Sequence, residues 1–373
     1  MTKKVLLVAT VQSHICQFHR PLVEMLHQRG YEIHVAARNN LAEKNGLKID
    51  FAEEVFDIPF ARSPFSPQNI KAYRLLKQIV RDGQYNIIHC NTPVGGVLAR
   101  IAAKRSNSKS TVIYTAHGFH FYKGAPLKNW IVYYPIEKIL GKYTNKLITI
   151  NTEDYNLAKN RHFCKEVYLL HGVGVNSNRY SVPSNEERKI FKQKFGLENK
   201  VVILNVGELR KNKNQYMAIR AIKHLTPEYT NIKLLIAGNG PEEARLKKFV
   251  NENGIENYVS FLGYVTNLQD YQKATDIQVA CSKREGLGLN LLESFLSGNP
   301  VVASKNRGHI DCVDDGKTGY LVDYDDDTAM AKYVKILIDH KDLRAEMSIN
   351  CRKKGLLFSC DVVKEELAQI YFG

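Results

Sequence analysis

Long apolar runs and paired cysteines are both absent from this sequence of 373 residues. No stretch approaches the roughly 18 consecutive apolar residues that a membrane-spanning helix requires, so the sequence predicts no such helix. The seven cysteines are scattered, include no C-x-x-C pair and are odd in number. This usage indicates reduced thiols in a cytosol, and it argues against a disulfide framework and against a structural zinc site. We find no low-complexity segment and no short-period repeat, and 44% apolar with 24% charged residues is typical of a soluble globular protein.

Acidic side chains are scarce in the first half of the chain. Residues 1–183 hold 25 basic and 12 acidic side chains, whereas residues 184–373 hold 28 and 26. The net charge of +15 therefore divides into +13 and +2, which predicts an anionic partner for the first half. The sequence has no pattern of a recognition helix, a zinc finger or an aromatic RNA-binding strand, so we expect no nucleic-acid partner. A phosphorylated metabolite and an anionic membrane surface remain as candidates.

Short β-branched apolar runs alternate with amphipathic stretches along the whole chain. This alternation is typical of parallel strands covered by helices on both faces, and it predicts an α/β fold. The predicted strands of the first half are 5–9, 32–36, 87–90, 111–115 and 147–150, and its helices include 18–29, 70–81 and 95–104. The predicted strands of the second half are 201–206, 233–237, 259–261, 277–280 and 300–303, and its helices include 214–222, 242–253 and 288–297.

A stretch rich in Gly, Asn, Pro and Ser between residues 172 and 185 separates the two halves. We therefore predict two doubly wound domains, residues 1–175 and residues 184–355, with a C-terminal helix at 356–373. Parallel sheets of this kind bind ligands outside the carboxyl ends of their strands, so a cleft between the two domains is the expected site.

The densest chemical pattern is the stretch 282–293, where a predicted strand passes through a loop into a helix. Gly286 and Gly288 let the backbone approach a ligand, and the N–H groups at the start of a helix attract phosphate. Glu285 lies in this loop and Glu293 about one turn into the helix, so two carboxylates bracket the phosphate site. Their natural partners are sugar and ribose hydroxyls. The structural alternative is a glycine turn with two solvated glutamates.

Two further loops follow strands at the same predicted sheet edge. The loop 207–214 carries Arg210, Lys211 and Lys213, three cations within four residues that would neutralise a diphosphate leaving group. Surface Lys and Arg are more often simply solvated. The loop 238–242, with the sequence Gly-Asn-Gly-Pro-Glu, opens a helix and is also common as an ordinary turn. Its position after a third strand favours a functional role.

One histidine stands out among the 12 of this chain. His117 ends the predicted strand 111–115, so it lies at a carboxyl strand end and is placed to act as a hydrogen-bond donor or as a general acid or base. A lone histidine is more often structural. Motif position puts His117 ahead of His14, His19 and His120.

Together these patterns resemble the family-4 retaining glycosyltransferases of the GT-B fold, in which two Rossmann-like domains face each other across a cleft. The resemblance rests on Glu285-x7-Glu293, on the Gly-x-Leu-x3-Lys pattern of 207–213, on Gly-Asn-Gly-Pro at 238–241 and on Thr-Ala-His-Gly at 115–118. It covers nearly the whole chain and is strongest from about 200 to 325. Within the family, the sequence looks most like the bacterial enzymes that build capsular or exopolysaccharide repeat units.

The resemblance implies roles for individual residues. Glu285 would hold donor-sugar hydroxyls, Glu293 would bind the nucleotide ribose, and His117 would contact the donor sugar. His117 and Glu285 are therefore the expected catalytic residues. The other expected donor-binding residues are Gly207, Arg210, Lys213, Gly238, Asn239, Tyr264, Gly286, Gly288, Leu289 and Asn290. The residues expected in the acceptor site or the cleft are His14, Phe119 and Lys123.

This chain departs from the family pattern in two places. The family often has Arg directly after the Gly of the phosphate loop, where this chain has Glu208, so Arg210 or Lys211 would have to supply the second cation. The first loop of the family is often glycine-rich, whereas here residues 10–15 read Thr-Val-Gln-Ser-His-Ile. We therefore expect the substrates to approach the first domain differently.

The resemblance also implies a reaction. We expect transfer, with retention, of a UDP-linked hexose or N-acetylamino sugar to a polyprenyl-diphosphate-linked saccharide, with no cofactor and no metal. The alternatives are a nucleotide-sugar 2-epimerase of the same fold and a non-catalytic anion- or lipid-binding module. The acidic run 323–327 contains a D-x-D string, the metal motif of the other glycosyltransferase fold, but N-capping and solvation explain it better.

Cations and aromatic side chains are interleaved between residues 100 and 146, where nine basic side chains accompany a single acid, Glu137. Such a segment suits docking on anionic lipid head groups, and the alternative is a basic helix face with core aromatics. We expect a cytoplasmic protein that is peripherally associated with the inner face of the cell membrane.

The tail of the chain is amphipathic. In the GT-B architecture the last helix commonly crosses back to pack on the first domain, and we predict the same here. The apolar positions of the tail are Val362, Leu367, Ile370 and Tyr371.

Overall fold

A computed structural model describes residues 2–43 and 46–373 of the chain. Contacts between residues divide it into two compact units. Unit 1 holds the residues up to Gly174 together with Cys360–Gly373, and unit 2 holds Val175–Ser359. The division falls between Gly174 and Val175, within the stretch that is rich in Gly, Asn, Pro and Ser.

Unit 1 contains a seven-stranded parallel sheet with the order β3-β2-β1-β4-β5-β6-β7. Its strands are β1 (Lys3–Val11), β2 (Tyr31–Arg38), β3 (Glu54–Asp57), β4 (Ile87–Asn91), β5 (Thr111–Ala116), β6 (Lys146–Thr149) and β7 (Glu166–Leu169). β1 lies in the interior of the sheet, because residues 5–9 are fully buried apolar side chains that suit a strand covered on both faces. Its Leu7 pairs with Val35 on one side and with His89 on the other.

The two edge strands of this sheet, β3 and β7, are not among the strands predicted from the sequence. Edge strands are short and carry few buried side chains. β3 is mostly exposed and β7 is only half-buried. Neither strand therefore has the continuous apolar run by which the five central strands were predicted.

Seven α-helices belong to the described part of unit 1. They are α1 (Gln12–Phe18), α2 (Arg20–Gln28), α3 (Gln68–Gly83), α4 (Pro93–Arg105), α5 (Leu127–Leu140), α6 (Thr152–Asn160) and, in chain order the last of the protein, α15 (Cys360–Phe372). The prediction of one helix over 18–29 is wrong at its start, because the helical conformation is interrupted at His19 and α1 lies before this break. Pro21 in the first turn of α2 explains the break, since its ring is tolerated only near a helix start.

The tail helix α15 packs against α2 within unit 1. Lys364 forms an ion pair with Glu24 at 3.0 Å, and Lys146 Nζ donates to Ile370 O at 2.6 Å. The prediction is wrong about one apolar position and about the start of the helix. Val363, not Val362, is buried, and the tail helix begins at Cys360 because the preceding helix, which belongs to unit 2, extends to Leu356.

Unit 2 contains a six-stranded parallel sheet with the order β10-β9-β8-β11-β12-β13. Its strands are β8 (Val201–Val206), β9 (Ile232–Ala237), β10 (Val259–Gly263), β11 (Ile277–Ala280), β12 (Val301–Ser304) and β13 (Gly319–Val322). Its helices are α7 (Asn185–Lys194), α8 (Gln215–Leu225), α9 (Glu243–Glu252), α10 (Leu268–Ala274), α11 (Leu289–Leu296), α12 (Arg307–Cys312), α13 (Asp327–Asp339) and α14 (Lys341–Leu356). The edge strand β13 is again missed by the sequence analysis. The two parallel sheets confirm the predicted α/β class.

The acidic run 323–327 caps a helix, as the sequence predicts. The Asp326 carboxylate accepts a hydrogen bond from Ala329 N at 2.8 Å at the start of α13. Asp327 pairs with Arg220 at 2.9 Å and with His224 at 2.8 Å. These contacts account for the D-x-D string as a structural feature.

All seven cysteines are free thiols. Within residues 2–43 and 46–373, no helix is at once long enough and apolar enough to cross a bilayer.

Candidate functional site

Three loops of unit 2 meet at the carboxyl ends of the neighbouring strands β9, β8 and β11. Lys213 Nζ donates to Glu285 Oε1 at 2.6 Å, which joins the loop after β8 to the loop after β11. Asn212 reinforces this junction, because its side-chain amide donates to Arg284 O at 2.9 Å and its carbonyl accepts from Lys283 N at 2.8 Å. The lysine and the carboxylate that the sequence patterns single out therefore form one partly buried ion pair.

The loop after β9 is pressed against the loop after β8. A Cβ added to Gly238 would lie 2.1 Å from Gly207 O, and one added to Gly240 would lie 2.5 Å from Leu209 O. Leu209 N donates to Asn239 O at 2.9 Å across the same contact. Only glycine fits at positions 238 and 240 in this approach of two backbones, so packing requires both glycines of the Gly-Asn-Gly sequence.

The loop after β10 lies beside this contact. Gly238 N donates to Gly263 O at 2.7 Å, and the next residue, Tyr264, is 59% exposed. The structure therefore places Tyr264 next to Gly238 with its ring open to solvent.

Glu208, at the position where the family often has Arg, pairs with Arg210. The two side chains are 2.7 Å apart and both are more than half exposed. An exposed pair of this kind contributes little to stability, so Arg210 can leave Glu208 for a phosphate at small cost. Lys211 is exposed as well.

Helix α11 begins where the loop after β11 ends. Gly288 is its N-cap and Leu289 its first residue. A Cβ added to Gly308 would lie 2.8 Å from Leu287 N, so glycine lets α12 pack on this loop. The Asn290 side-chain amide donates to Val206 O at 3.1 Å and ties α11 to β8, and the donor-binding role of Asn290 stays a prediction.

Glu293 lies one turn into α11 and is partly buried. Tyr180 donates its hydroxyl hydrogen to Glu293 Oε1 at 3.0 Å. Burial raises the pKa of Glu293 to about 7, against the lowering effects of the Tyr180 hydrogen bond and of Arg179. The two carboxylates of the motif thus have different partners, a lysine for Glu285 and a neutral phenol for Glu293. Tyr180 lies in the segment that the sequence predicts to be a linker, so no sequence pattern indicated that it contacts the site.

A buried histidine that the sequence analysis does not consider, His309, lies in α12 close to this site. A Cβ added to Gly288 would lie 3.1 Å from His309 Cδ2. His309 Nδ1 is 2.8 Å from Ser304 O, and because a carbonyl can only accept, Nδ1 carries the proton. Burial lowers the pKa of His309 to about 4, so the ring is neutral. Its place after the strand β12 is the one sequence signal that would have found it.

A cavity of about 600 Å³ opens in unit 1 next to the carboxyl ends of β1 and β5. Side chains of α4 and α5, among them Val97, Leu98 and Ile136, make most of its wall apolar. His14 and His117 contribute polar atoms to the wall. This cavity is shaped to hold a ligand with a large apolar part.

Three histidines come together beside this cavity, and two of them, His14 and His117, line it. His14 Nε2 lies 3.2 Å from His117 Nε2, and Asn91 Oδ1 lies 3.0 Å from the same nitrogen of His117. One ring nitrogen of each of His14, His19 and His117 lies within 4.8 Å of the others. Burial lowers the pKa of all three, that of His117 to about 4, so the three imidazoles are neutral near pH 7.

A fourth histidine supports this group from the sheet. His89 Nε2 lies 2.7 Å from Thr115 Oγ1, and His89 Nδ1 lies 2.5 Å from the hydroxyl of Tyr371 in α15. Burial lowers the pKa of His89 to about 3. The sequence analysis ranks His117 above His14 and His19, whereas the structure groups the three.

The other two residues expected in the acceptor site or the cleft differ from each other. Phe119 lines the cavity but is a core residue, 3% exposed and stacked on Phe121 with ring centroids 4.9 Å apart. Lys123 is exposed and is not among the described residues that line the cavity. A lysine at the tip of a loop keeps its ammonium group in water, which explains its position.

Both units match known protein families. Residues 187–354 match the family described as Glycosyl transferases group 1, and residues 4–151 match the family described as Glycosyl transferase 4-like.

Several curated proteins are similar over most of the chain. EpsD of Bacillus subtilis (strain 168), which is named provisionally as a glycosyltransferase, is 40% identical over 374 residues, covering 100% of this chain and 97% of its own length. The UDP-Gal:alpha-D-GlcNAc-diphosphoundecaprenol alpha-1,3-galactosyltransferase of Escherichia coli is 25% identical over 330 residues, covering 85% of this chain and 83% of its own length. The capsular polysaccharide biosynthesis glycosyltransferase CapM of Staphylococcus aureus is 25% identical over 383 residues, covering 99% and 97%.

A solved structure has the same fold. Alr3699/HepE of Anabaena, crystallised in complex with UDP and glucose, superposes with a TM-score of 0.79 at 18% identity, covering 100% of this chain and 99% of its own. The 40% identity to EpsD over the whole chain and the family matches in both units agree with this fold. The chain therefore belongs to the GT-B glycosyltransferases, and it resembles the enzymes of capsule and exopolysaccharide synthesis.

Proposed function

We propose that this glycosyltransferase transfers a sugar, with retention, from a UDP-linked hexose or N-acetylamino sugar to a polyprenyl-diphosphate-linked saccharide during capsule or exopolysaccharide synthesis. The observation that carries the proposal is the Lys213–Glu285 ion pair at the carboxyl ends of the strands. It places a cation 2.6 Å from a carboxylate that can accept hydrogen bonds from sugar hydroxyls. A nucleoside diphosphate sugar needs both groups next to each other, because its diphosphate is directly bonded to the sugar.

The donor would be held by unit 2. The side chains of Lys213 and Arg210 bind the diphosphate. The backbone N–H groups of Gly286, Gly288 and Leu289, near the start of α11, bind it as well. Glu285 accepts hydrogen bonds from sugar hydroxyls and Glu293 from the ribose. UDP is the proposed nucleotide because the Escherichia coli relative is named for UDP-Gal and HepE was crystallised with UDP.

The leaving diphosphate needs positive charge when its bond to the sugar breaks. Lys213 and Arg210 supply this charge, so we propose a reaction that requires no metal and no cofactor. Retention follows if the leaving phosphate itself accepts the proton of the acceptor hydroxyl, on the face from which the leaving group departs. The protein then orients the substrates and stabilises the separated charge, and no carboxylate acts as a covalent nucleophile.

The acceptor would be held by unit 1, in the apolar cavity beside His14 and His117. The Escherichia coli relative is named for an acceptor with a diphosphoundecaprenol group, which joins a saccharide to a long apolar chain. A mostly apolar wall with a few imidazoles suits the lipid-proximal part of such a molecule.

Helix α5 would bring unit 1 to an anionic membrane surface. Leu127, Ile131 and Ile139 are 73%, 65% and 56% exposed on this helix, and Lys128 is exposed among them. Apolar side chains next to lysines favour the head-group boundary of a bilayer. Ile131→Glu should reduce cosedimentation with phosphatidylglycerol vesicles, whereas Ile349→Glu, at an equally exposed isoleucine of α14, should not. Equal loss in both variants would contradict docking through α5.

The donor site is tested by thermal unfolding with UDP, GDP, ADP and dTDP, for the wild type and for Glu293→Ala. A nucleotide at 100 times its dissociation constant adds about 2.7 kcal/mol to the free energy of unfolding. We expect UDP alone to stabilise the wild type and the effect to shrink in the variant. Stabilisation by another nucleotide would overturn the choice of UDP, and no stabilisation by any of the four would overturn the donor site.

An activity assay with and without a lipid-linked acceptor tests the reaction. We expect product only when donor and acceptor are both present, in buffer with a chelator as well as without. Rearrangement or hydrolysis of the donor without acceptor would indicate the 2-epimerase, and nucleotide binding without any turnover would indicate a non-catalytic module.

A further inference from the structure

We propose that His14, His19 and His117 of unit 1 form a binding site for a divalent transition-metal ion of the Zn²⁺ class. The proposal does not depend on the donor, on the acceptor or on the mechanism of transfer. It differs from the expectation of no metal in the sequence analysis, which rested on the family resemblance and on the scattered cysteines. The three histidines come from α1, from the residue before α2 and from the loop after β5.

The geometry of the ring nitrogens fits such an ion. Zn²⁺ binds histidine nitrogens at about 2.0–2.1 Å, so two nitrogens on a tetrahedral ion lie about 3.3–3.4 Å apart. The Nε2 atoms of His14 and His117 lie 3.2 Å apart, and one ring nitrogen of each of the three histidines lies within 4.8 Å of the others. Small rotations of the rings would bring the third nitrogen to the same ion.

Two buried polar atoms at this place lack an explanation within the fold. His19 Nε2 and Asn91 Nδ2 are buried and have no hydrogen-bond partner within the part of the chain that the structure describes. A buried polar atom of this kind costs about 1–3 kcal/mol, so several at one place point to a bound group. Asn91 Oδ1 lies 3.0 Å from His117 Nε2 and can only accept, so this nitrogen donates to the amide, and an ion that binds here would take the place of that proton.

The residues around the three rings favour a cation over an anion. Among the described residues that line the cavity, Arg62 and Glu137 are the charged ones, and Glu137 is already paired with the buried Arg100 at 2.9 Å. Imidazole nitrogens are ligands that suit Zn²⁺ and similar divalent transition metals, whereas a phosphate is bound mainly by cations and N–H donors.

Three protein ligands leave one position of a tetrahedral ion open. His14 and His117 line the large cavity, so this position would be filled by water or by an oxygen of a molecule in the cavity. The ion would also fix α1 to the loop after β5.

The test measures metal bound to the full-length chain after removal of metal with a chelator and dialysis against Zn²⁺ or Co²⁺. We expect one ion per chain for the wild type, and a visible Co²⁺ spectrum of the strong, four-coordinate kind. His14→Gln and His19→Gln should each lower the affinity for Zn²⁺ by at least about tenfold. His14 is only half-buried, so this variant tests the proposal even if the buried His19 proves necessary for folding.

The matched control is His120→Gln. His120 lines the same cavity but stacks on Tyr133, with ring centroids 4.7 Å apart, and is outside the group of three. Its variant should bind one ion with the affinity of the wild type. The proposal is wrong if the wild type binds no ion, if His14→Gln binds as tightly as the wild type, or if the Co²⁺ spectrum is the weak kind of a six-coordinate ion at surface sites. Circular dichroism without metal confirms that each variant is folded.

Discussion

The candidate donor site of unit 2 and the cavity of unit 1 differ in the charge of their polar side chains. In unit 2, Lys213 and Glu285 form an ion pair between two loops, and exposed cations surround it. In unit 1, burial keeps His14 and His117 neutral beside an apolar wall. The first arrangement suits a charged, water-soluble ligand such as a nucleoside diphosphate, and the second suits a ligand that brings apolar surface with it.

The net charge of the first half of the chain does not describe the charge of the cavity that this half contains. Residues 1–183 carry a net charge of +13, yet the described lining of the cavity in unit 1 has one cation, Arg62, and one acid, Glu137. The excess cations of this half therefore lie mainly outside the cavity, with Lys123 and Lys128 as exposed examples. A basic half of a sequence predicts an anionic surface partner, but it does not predict a basic pocket.

Glu285→Ala should have the largest effect on transfer. The change removes the carboxylate proposed to accept sugar hydroxyls and leaves Lys213 without its partner at 2.6 Å. We expect kcat/KM to fall by about 10²–10³-fold, the range for loss of one preorganised electrostatic group. Steady-state assays measure the loss, and circular dichroism checks the fold. Transfer at the wild-type rate would show that the ion pair is structural only.

Lys213→Ala should come next and should act mainly on the diphosphate. Loss of a charged hydrogen bond costs about 1.5–3 kcal/mol, so we expect UDP to bind about 10- to 100-fold more weakly. Lys211→Ala is the control, because Lys211 is exposed in the same loop. Calorimetric titration with UDP gives both values. Equal weakening in the two variants would mean that the loop contributes diffuse charge rather than one specific contact.

His117→Gln should separate the two regions. His117 lies in unit 1, so we expect turnover to fall about tenfold while the affinity for UDP stays at the wild-type value, in contrast to Lys213→Ala. The same titration and the transfer assay provide the two readouts. A loss of UDP affinity as large as that of Lys213→Ala would contradict the assignment of nucleotide binding to unit 2 alone.

Glu293→Gln should have the smallest effect, seen as a change in the pH dependence of stability. Burial raises the pKa of Glu293 from 4.5 to about 7, so between these pH values the folded chain holds a proton that the unfolded chain has lost. The free energy of unfolding therefore falls as pH rises from 4.5 to 7, by roughly 1–3 kcal/mol for this partly buried group. The variant lacks this contribution. Urea unfolding at several pH values should show a flatter profile, and an unchanged slope would contradict the shifted pKa.

The motifs of unit 2 were predictable because each lies within one short segment. Lys213, Glu285 and Glu293 follow strands whose apolar runs are plain in the sequence, and parallel strands bring their carboxyl ends to one edge. The same reasoning missed Tyr180 and His309, because neither lies in a motif and each reaches the site only through packing. It also did not show that the Asn290 amide ties α11 to β8, because no sequence pattern indicates which backbone atom a side chain contacts.

The edge strands and the start of the first helix show a second limit. β3 and β7 lack apolar runs because half of an edge strand faces solvent. The polar residues of 12–14 read as a loop, but they form α1 because the fold buries Gln12 and Ser13 against the sheet. Burial in the tertiary structure overrode local composition at these positions.

The sequence by itself determined the α/β class, the family and the charged motifs of unit 2, because strand periodicity and strand-end loops are local properties of the chain. Only the tertiary structure decided that His14, His19 and His117 come together. These residues are up to 103 positions apart, and burial lowers the pKa of each. Neither the meeting nor the loss of charge is a property of any single segment, since both arise only when the sheet and its helices exclude water.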